Sequence, residues 1–410
     1  MPMAKILILI GGHLCTSPRS QKEAETLANA GHDVIVRGVW FDPELVTRDR
    51  LLMANKQWKF APIVDFQPTH RLTNWRIRLQ TRIAKERYRR FEHFSPALLG
   101  YGARAMLKAA RQACADLTIV HSEVGLWVGS QLLNQGLRVG VDFEDWFSED
   151  LLPADRANRP IKQLKTLEAR LIRECKYCLT TSHAMADAMA TAYNALKPTV
   201  IYNSFPWAER EQIDHQVRDR QNLTLLSLHW FSQTIGPGRG LETLFQALPQ
   251  LNQPVEVHLR GNLPQRYNQW LKALIPAEWQ NYTFIHPVVP NAILLSRIAE
   301  HDVGLALEDS SISSRNLTVT NKIFQYLQAG LAVVATDTAG QKEVFSHCSK
   351  IGQLIPYSTP SALAQALTDL LNTPGKIDVG KKAALQVAKE TFCWEVQAPT
   401  LIRLVEGTLN

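Results

Sequence analysis

The stretch LTLLSLHWFSQTIGPGRGLETLFQAL, residues 223–248, decides how the chain is read. Leu223–Leu228 is an apolar run of strand length, and the residues from Leu241 have helical amphipathic spacing. Between them Gly236, Gly238 and Gly240 stand at alternate positions around Arg239. A strand, a glycine-rich turn and a helix together aim free backbone N–H groups and the positive end of a helix dipole at an anion, usually a phosphate. The spacing is G-x-G-x-G, which is neither the dinucleotide fingerprint nor a Walker loop. On these residues alone, a phosphate cradle and a plain tight turn both satisfy the pattern.

Working outward, strand and helix patterns alternate along the chain, which predicts α/β architecture with parallel sheets covered on both faces. Before the loop the strand candidates are 5–10, 33–39, 117–122, 138–143, 177–182 and 199–203, with helices such as 19–30, 97–115 and 159–174. After it the alternation restarts, with strands near 255–260, 282–286, 303–307 and 331–336. The polar segment SFPWAEREQIDHQVRDRQN (204–222) reads as the linker. At 410 residues, two doubly wound, Rossmann-like domains are expected. Their boundaries are 1–205 and 206–390, with helix 391–410 packing back on the first. The carboxyl ends of both sheets would face a central cleft.

Composition narrows the class. Hydrophobic residues at 45% and charged ones at 20% describe a soluble globular chain. The opening MPMAKILILIGG reads as a first buried strand, because its apolar run is short and meets Gly11-Gly12 with no cleavage site after it. Six scattered cysteines, with Cys175-x-x-Cys178 lacking a second pair, read as reduced thiols of a cytoplasmic protein. The net charge of +7 comes entirely from residues 71–90, RLTNWRIRLQTRIAKERYRR, with eight basic residues and one acid. The rest of the chain carries 37 of each sign. Trp75, Leu79 and Ile83 recur there at helical spacing between arginines, as in a basic amphipathic helix at an anionic surface. A solvated helix docked on its own domain fits equally. No nucleic-acid motif accompanies the patch.

A second anion candidate lies in VGLALEDSSISSRNLTVTNKIFQYLQAGLAVVATD (303–337). A strand ends at Glu308, and a helix opens at Thr320, a plausible N-cap, with Asn321 and Lys322 in its first turn. A lysine there opposes the helix dipole, so a bound anion is the expected explanation.

With these blocks in view, the chain resembles the retaining GT-B glycosyltransferases of group 1, or family 4. The resemblance rests on GGHLCTSPRSQKEAETLANAGHDVIV (11–36), LTIVHSE (117–123), TTSHAMADAM (180–189), the Glu308 to NKIFQYLQAGLAVV block and CWEVQAPTLIRLV (393–405). It implies a sugar nucleotide held mainly by the C-terminal domain. Arg239 and the amides of Gly236, Gly238 and Gly240 would hold the diphosphate, supported by Thr320, Asn321 and Lys322. Glu308 would accept from donor-sugar hydroxyls, and Gln325 would stand at the ribose. His121 would contact the donor sugar or leaving phosphate, with Gly12, Arg19, Glu123 and Asp145 on the acceptor side. For Arg19 a plain surface position is equally consistent, and for Asp145 a helix cap.

Two positions depart from the family pattern. Gln325 replaces the family's glutamate, and Gln233 falls where a second diphosphate cation is expected. The resemblance implies transfer of a sugar to a hydroxyl acceptor, a glycan or lipid-linked glycan. It implies no required cofactor or metal, and a cytoplasmic location extending to peripheral attachment at the inner membrane face. A non-catalytic partner subunit and a sugar-nucleotide epimerase of the same fold are the alternatives.

Overall fold

A computed structural model describes residues 3–67, 71–150, 156 and 159–410, with backbone alone for 71–73. The chain divides into two compact units. One comprises residues 1–201 with 398–410, and the other residues 202–397. The helix Trp394–Leu409, with Pro399 inside it, therefore carries the chain from the second unit back to the first.

The first unit is built on a seven-stranded parallel sheet. Its strands are Lys5–Leu9 (β1), Asp33–Trp40 (β2), Lys59–Asp65 (β3), Leu117–Val120 (β4), Val139–Phe143 (β5), Tyr177–Thr180 (β6) and Thr199–Val200 (β7), in the order β3-β2-β1-β4-β5-β6-β7. Ile6 to Leu9 are fully buried, as the continuous apolar run requires of a central strand covered by helices on both faces. The strand order reverses between β1 and β4, and the loops after their carboxyl ends begin at Gly11-Gly12 and His121.

The second unit repeats the plan with Leu226–Thr234 (β8), Val255–Asn262 (β9), Thr283–His286 (β10), Val303–Ala306 (β11), Ala332–Thr336 (β12) and Gly352–Ile355 (β13), in the order β10-β9-β8-β11-β12-β13. Its switch point lies between β8 and β11. The loops that leave those two strands are the two anion candidates of the sequence.

Several expectations need correction. β8 begins at Leu226 and runs through HWFSQT to Thr234, so the glycine loop starts later and Gln233 belongs to the strand. β3 and β13 have no counterpart among the expected strands. β3 is half-buried along most of its length, and β13 is four residues long; both therefore lack a strong apolar run. The helix expected over 97–115 is the helix Ala103–Ala113 preceded by a short turn at Pro96–Leu98.

The expected linker 204–222 is a strap belonging to the second unit. Asp214 takes two bonds of 2.7 Å from Arg297, and Glu300 accepts from the amides of Arg218 and Asp219 at 2.6 and 2.7 Å. Glu256 accepts from those of Gln221 and Asn222 at 3.2 and 2.6 Å. The polarity that looks like a linker in sequence is a set of ion pairs and amide caps.

One close approach ties helix Asn321–Ala329 to the sheet. Gly304 lies under the ring of Tyr326, whose hydroxyl donates to the carbonyls of His229 and Leu305 at 3.1 and 3.3 Å. A methyl at position 304 would overlap that ring. Gly304→Ala is expected to lower stability by about 1–3 kcal/mol, the usual size of core overpacking. Urea unfolding should show a lower midpoint with an unchanged slope.

Candidate active site

At the second unit's switch point the two loops touch. Gly240 has φ +81° and lies against Leu307, where a Cβ would collide, and Gly238 has φ +69°. Only glycine fits both the backbone and the contact at 240. The Gly238 amide donates to Glu242 Oε1 at 3.0 Å, so a carboxylate of the following helix (Leu241–Ala247) already caps this turn. Arg239 is half-buried. Its Nη1 donates to Ser232 Oγ at 3.0 Å, and its carbonyl accepts from Trp230 Nε1 at 3.2 Å. Gly236 is buried beside the ring of Tyr267, and Gln233 is exposed.

Glu308 follows β11 by two residues and is mostly buried. Its Oε1 accepts from Thr320 Oγ1 at 3.2 Å and pairs with Lys322 Nζ. Burial pushes the Glu308 carboxyl up, but the Lys322 ammonium and the Thr320 hydroxyl outweigh it and hold the group below the usual glutamate value. The lysine that opposes the helix dipole thus has a partner within the protein, and an anion is not needed to account for it. Thr320 occupies the N-cap position with extended backbone, yet its hydroxyl turns to Glu308 and makes no cap bond. Asn321 and Gln325 are half-buried on the same helix. A hollow of about 280 Å³, lined by Gly261, Asn262, Leu263, His286, Pro287 and Val288, opens at the carboxyl ends of β9 and β10.

In the first unit the switch point carries a buried network of charges. Arg19, in the first turn of helix Pro18–Asn29, donates from Nε to Asp142 Oδ2 at 2.5 Å and from Nη1 to the Ile201 carbonyl at 2.6 Å. Only 3% of its surface is exposed, so it is not the surface arginine of the alternative reading. His121 ends β4. Its Nδ1 meets Glu144 Oε1 at 2.9 Å and its Nε2 meets Glu23 Oε2 at 2.8 Å. Tyr177 donates its hydroxyl to Glu23. Desolvation alone would lower the imidazole pKa, but the two carboxylates reverse it and push His121 well above its ordinary value. The ring is therefore an imidazolium with both N–H groups committed. Glu144, with 31% of its side chain exposed, is the end of this network that reaches water.

The remaining acceptor-side candidates are dispersed. Glu123 pairs with Arg159 in the first turn of helix Ser122–Leu133. Asp145 is half-buried in the turn after β5, and Gly12 gives its carbonyl to the Val39 amide at 3.0 Å. The ligand atoms of Glu23, His121 and Asp142 lie within 4.8 Å of one another, near enough to share a metal ion. Arg19 already occupies Asp142, however, and Tyr177 occupies Glu23.

Residues 229–373 match the family model described as Glycosyl transferases group 1. Among solved structures, sucrose-phosphate synthase from Thermosynechococcus elongatus is similar with a TM-score of 0.72 at 14% identity over 98% of each chain. HepE from Anabaena, solved with UDP and glucose, is similar with a TM-score of 0.70 at 16% identity over 98% of this chain and 100% of that one. A glycosyltransferase from Rickettsia africae reaches 0.70 at 13% identity over 100% of both chains. The chain has the GT-B fold, and its second unit carries the group 1 glycosyltransferase pattern. No curated protein matches it by sequence.

Within this GT-B chain, the sequence reading omits Glu23, Asp142, Tyr177 and Glu242. The signal for two of them is present. Asp142 is an acid inside the apolar run VGVDF, and Glu23 stands four residues after Arg19 on one helix face. Tyr177 has no such local mark.

Replacing His121 with leucine would leave two carboxylates facing each other without a cation, one of them fully buried. A loss of about 3–5 kcal/mol is expected in chemical denaturation. Because the folded pKa of His121 is raised, its stabilising contribution is complete below the unfolded value near 6.5 and disappears as pH rises through the folded value. Nuclear magnetic resonance of His121 at pH 7 should show both ring nitrogens protonated; a neutral ring would contradict the pairing.

Proposed function

We propose that the protein is a retaining glycosyltransferase that moves a sugar from a nucleotide-diphosphate donor to a hydroxyl of a glycan or lipid-linked glycan. The contact of Gly240 with Leu307 carries this reading, because it brings the Arg239 loop and the Glu308–Lys322 pair to one switch point. In the reaction Arg239 and the amides of the glycine loop, that of Gly238 exchanged from Glu242, hold the diphosphate. Lys322 exchanges the Glu308 carboxylate for phosphate oxygens as charge develops on the leaving group. Glu308, so released, accepts from the donor-sugar hydroxyls, and Gln325 bonds the ribose diol as a neutral amide. The leaving phosphate takes the acceptor proton, so neither unit has to supply a general base. In the first unit His121 acts as a positioning residue whose charge fixes Glu144. No cofactor is required.

A non-catalytic partner of an active transferase is the second reading. It is favoured by Gln233 and Gln325, which leave the site one cation and one carboxylate short of the family pattern.

The acceptor side supplies a further observation. In the helix Arg71–Phe91, Asn74, Ile77, Thr81, Ala84 and Tyr88 form the inward stripe, while Trp75, Leu79 and Ile83 form an exposed one with 67, 37 and 45% of their surface accessible. On a 100° helical step the exposed stripe is flanked by Arg76 and Arg87 on one side and by Arg78, Arg82 and Arg89 on the other. As far as Ile83 this is the layout of a helix lying in an anionic lipid surface, apolar stripe down and cations at the headgroups, and beyond it the ion-paired Glu86 and Arg90 fall on the same stripe. It suits peripheral attachment at the cytoplasmic face and a lipid-linked acceptor. No helix among the described residues is long and apolar enough to cross a membrane.

Arg239→Ala should weaken binding of the cognate sugar nucleotide by about 1.5–3 kcal/mol in calorimetry, the size of a charge-assisted hydrogen bond. Unchanged affinity for every nucleotide tested would favour the non-catalytic reading. Glu308→Gln frees Lys322, so it should leave bare nucleoside-diphosphate binding intact or tighter while lowering transfer roughly 10–100-fold. Parallel losses of both would contradict the exchange. Replacing Arg76, Arg82 and Arg87 with glutamine should weaken binding to phosphatidylserine vesicles by roughly 5-fold per residue, leaving donor binding unchanged. A native protein that ignores such vesicles at low salt would sink the membrane reading.

A further inference from the structure

The buried charge network of the first unit ends in one oxygen that the protein itself does not use. Glu144 directly follows β5, and its Oε1 meets His121 Nδ1 at 2.9 Å. Its Oε2 takes no hydrogen bond among the described residues, and the side chain is partly open to water. In the sheet β4, which leads into His121, lies between β5 and β1, which leads into Gly11 and Gly12. The open oxygen therefore stands at the same end of the sheet as the glycine loop, beside the switch point.

Everything behind that oxygen is committed. His121 Nε2 is bonded to Glu23 Oε2 at 2.8 Å, Tyr177 donates to Glu23 Oε1, and Arg19 donates to Asp142 Oδ2 at 2.5 Å. All five of these residues are at most 3% exposed, so a ligand can meet the network only at Glu144. Stability alone gives no reason for the arrangement, because well-packed apolar residues often replace a buried ion pair without loss. What the network supplies is a carboxylate held in one place by a buried cation, the support that a recognition group needs.

The same cation decides what the carboxylate can do. Burial raises the Glu144 carboxyl, but the hydrogen bond and charge of His121, with Arg19 and Lys22 adding to them, outweigh it and hold the group below the usual glutamate value. A carboxylate held low is a strong hydrogen-bond acceptor and a weak base. Its partner is then a hydroxyl that keeps its proton, whereas the nucleophile gives its own to the leaving phosphate. In a sugar ring the hydroxyl on the next carbon has a fixed position relative to the nucleophile, so holding one places the other.

We propose that Glu144 selects the acceptor hydroxyl: its Oε2 accepts from the hydroxyl adjacent to the nucleophile, and the acceptor is a sugar ring with two neighbouring free hydroxyls, not a lone alcohol. This rests on the transferase reading and adds to it the chemical class of the acceptor. An acceptor without the neighbouring hydroxyl leaves a charged oxygen desolvated and unpaired, and a site built to bond a hydroxyl rejects such an analogue strongly.

Transfer assays on the whole protein test this. The donor is the one that calorimetry selects among UDP-glucose, UDP-N-acetylglucosamine, GDP-mannose and ADP-glucose, and the acceptors are the methyl glycosides of glucose, galactose, mannose and N-acetylglucosamine. The product identifies the glycosylated hydroxyl, and analogues deoxygenated beside it are then compared with the parent. In the native protein one such analogue should lose roughly 10–100-fold in kcat/KM. In Glu144→Gln the amide oxygen stays with His121 and an NH2 group replaces Oε2. This variant should lose a similar factor on the parent through the acceptor KM, with donor affinity in calorimetry unchanged. Variant and analogue together should lose little more than either alone, because both remove one bond, whereas a purely structural role would multiply the losses. The deoxy series on the native protein serves if the variant does not fold. Multiplied losses, equal use of parent and analogues, or transfer to none of the glycosides by a protein that hydrolyses its donor would each overturn the proposal. A protein that binds no sugar nucleotide would sink the transferase reading and this one with it, so the donor titration tells the two failures apart.

Discussion

A charge removed from water has to be met by another charge or by hydrogen bonds, and the sites of this protein are organised by that requirement. The sheets themselves need only apolar residues, and their central strands supply them. At the carboxyl ends of the sheets, an ionisable side chain in or just after a strand takes its partner from a different element. Arg19 of a helix meets Asp142 of β5, His121 after β4 meets Glu23 of the same helix as Arg19, and Glu308 after β11 meets Lys322 of the next helix. Each pairing closes a strand–loop–helix crossover at the carboxyl end of a sheet. Fold and site are therefore held by the same bonds. The two loops of the second unit can approach only because position 240 lacks a Cβ, and helix Asn321–Ala329 can lie on the sheet only because position 304 does.

The sequence made the strands visible where burial on both faces leaves an unbroken apolar run, as in KILIL and AVVAT. Where a strand is half-buried or four residues long, as in β3 and β13, the run is too weak to stand out from loop. The glycine loop was legible because positive φ at Gly238 and Gly240 restricts residue type locally. The charge network was not. Arg19 and Asp142 are 123 residues apart, and Glu23 and Tyr177 are 154 apart. Lys322 shows a different failure: the sequence displays a cation against a helix dipole but not what neutralises it. The strap fails for the same reason, since a polar segment paired to a buried polar face has the composition of a linker.

Strands β8 and β9 are unlike those of an ordinary doubly wound sheet in having one apolar and one ionisable buried face. In β8 and β9 this appears as the alternation LSLHW and VEVHL, a period of two inside strands whose neighbours are continuous apolar runs. The cost of burying so many polar groups is offset by bonds to the strap, which has few apolar residues of its own to hold it.

The same dependence on pairing sets the order of events in the proposed transfer. Glu308 and Lys322 satisfy each other, so little net charge is exposed at that point. A diphosphate that draws Lys322 away leaves Glu308 buried without its cation. The hydroxyls of a complete donor sugar can replace the lost bonds, whereas a bare nucleoside diphosphate cannot. Discrimination between sugar nucleotide and product then follows from one shared partner: the step that frees the carboxylate for the sugar is the step that brings the cation to the leaving group. After transfer the sugar no longer holds Glu308, and re-formation of the pair with Lys322 favours release of the diphosphate.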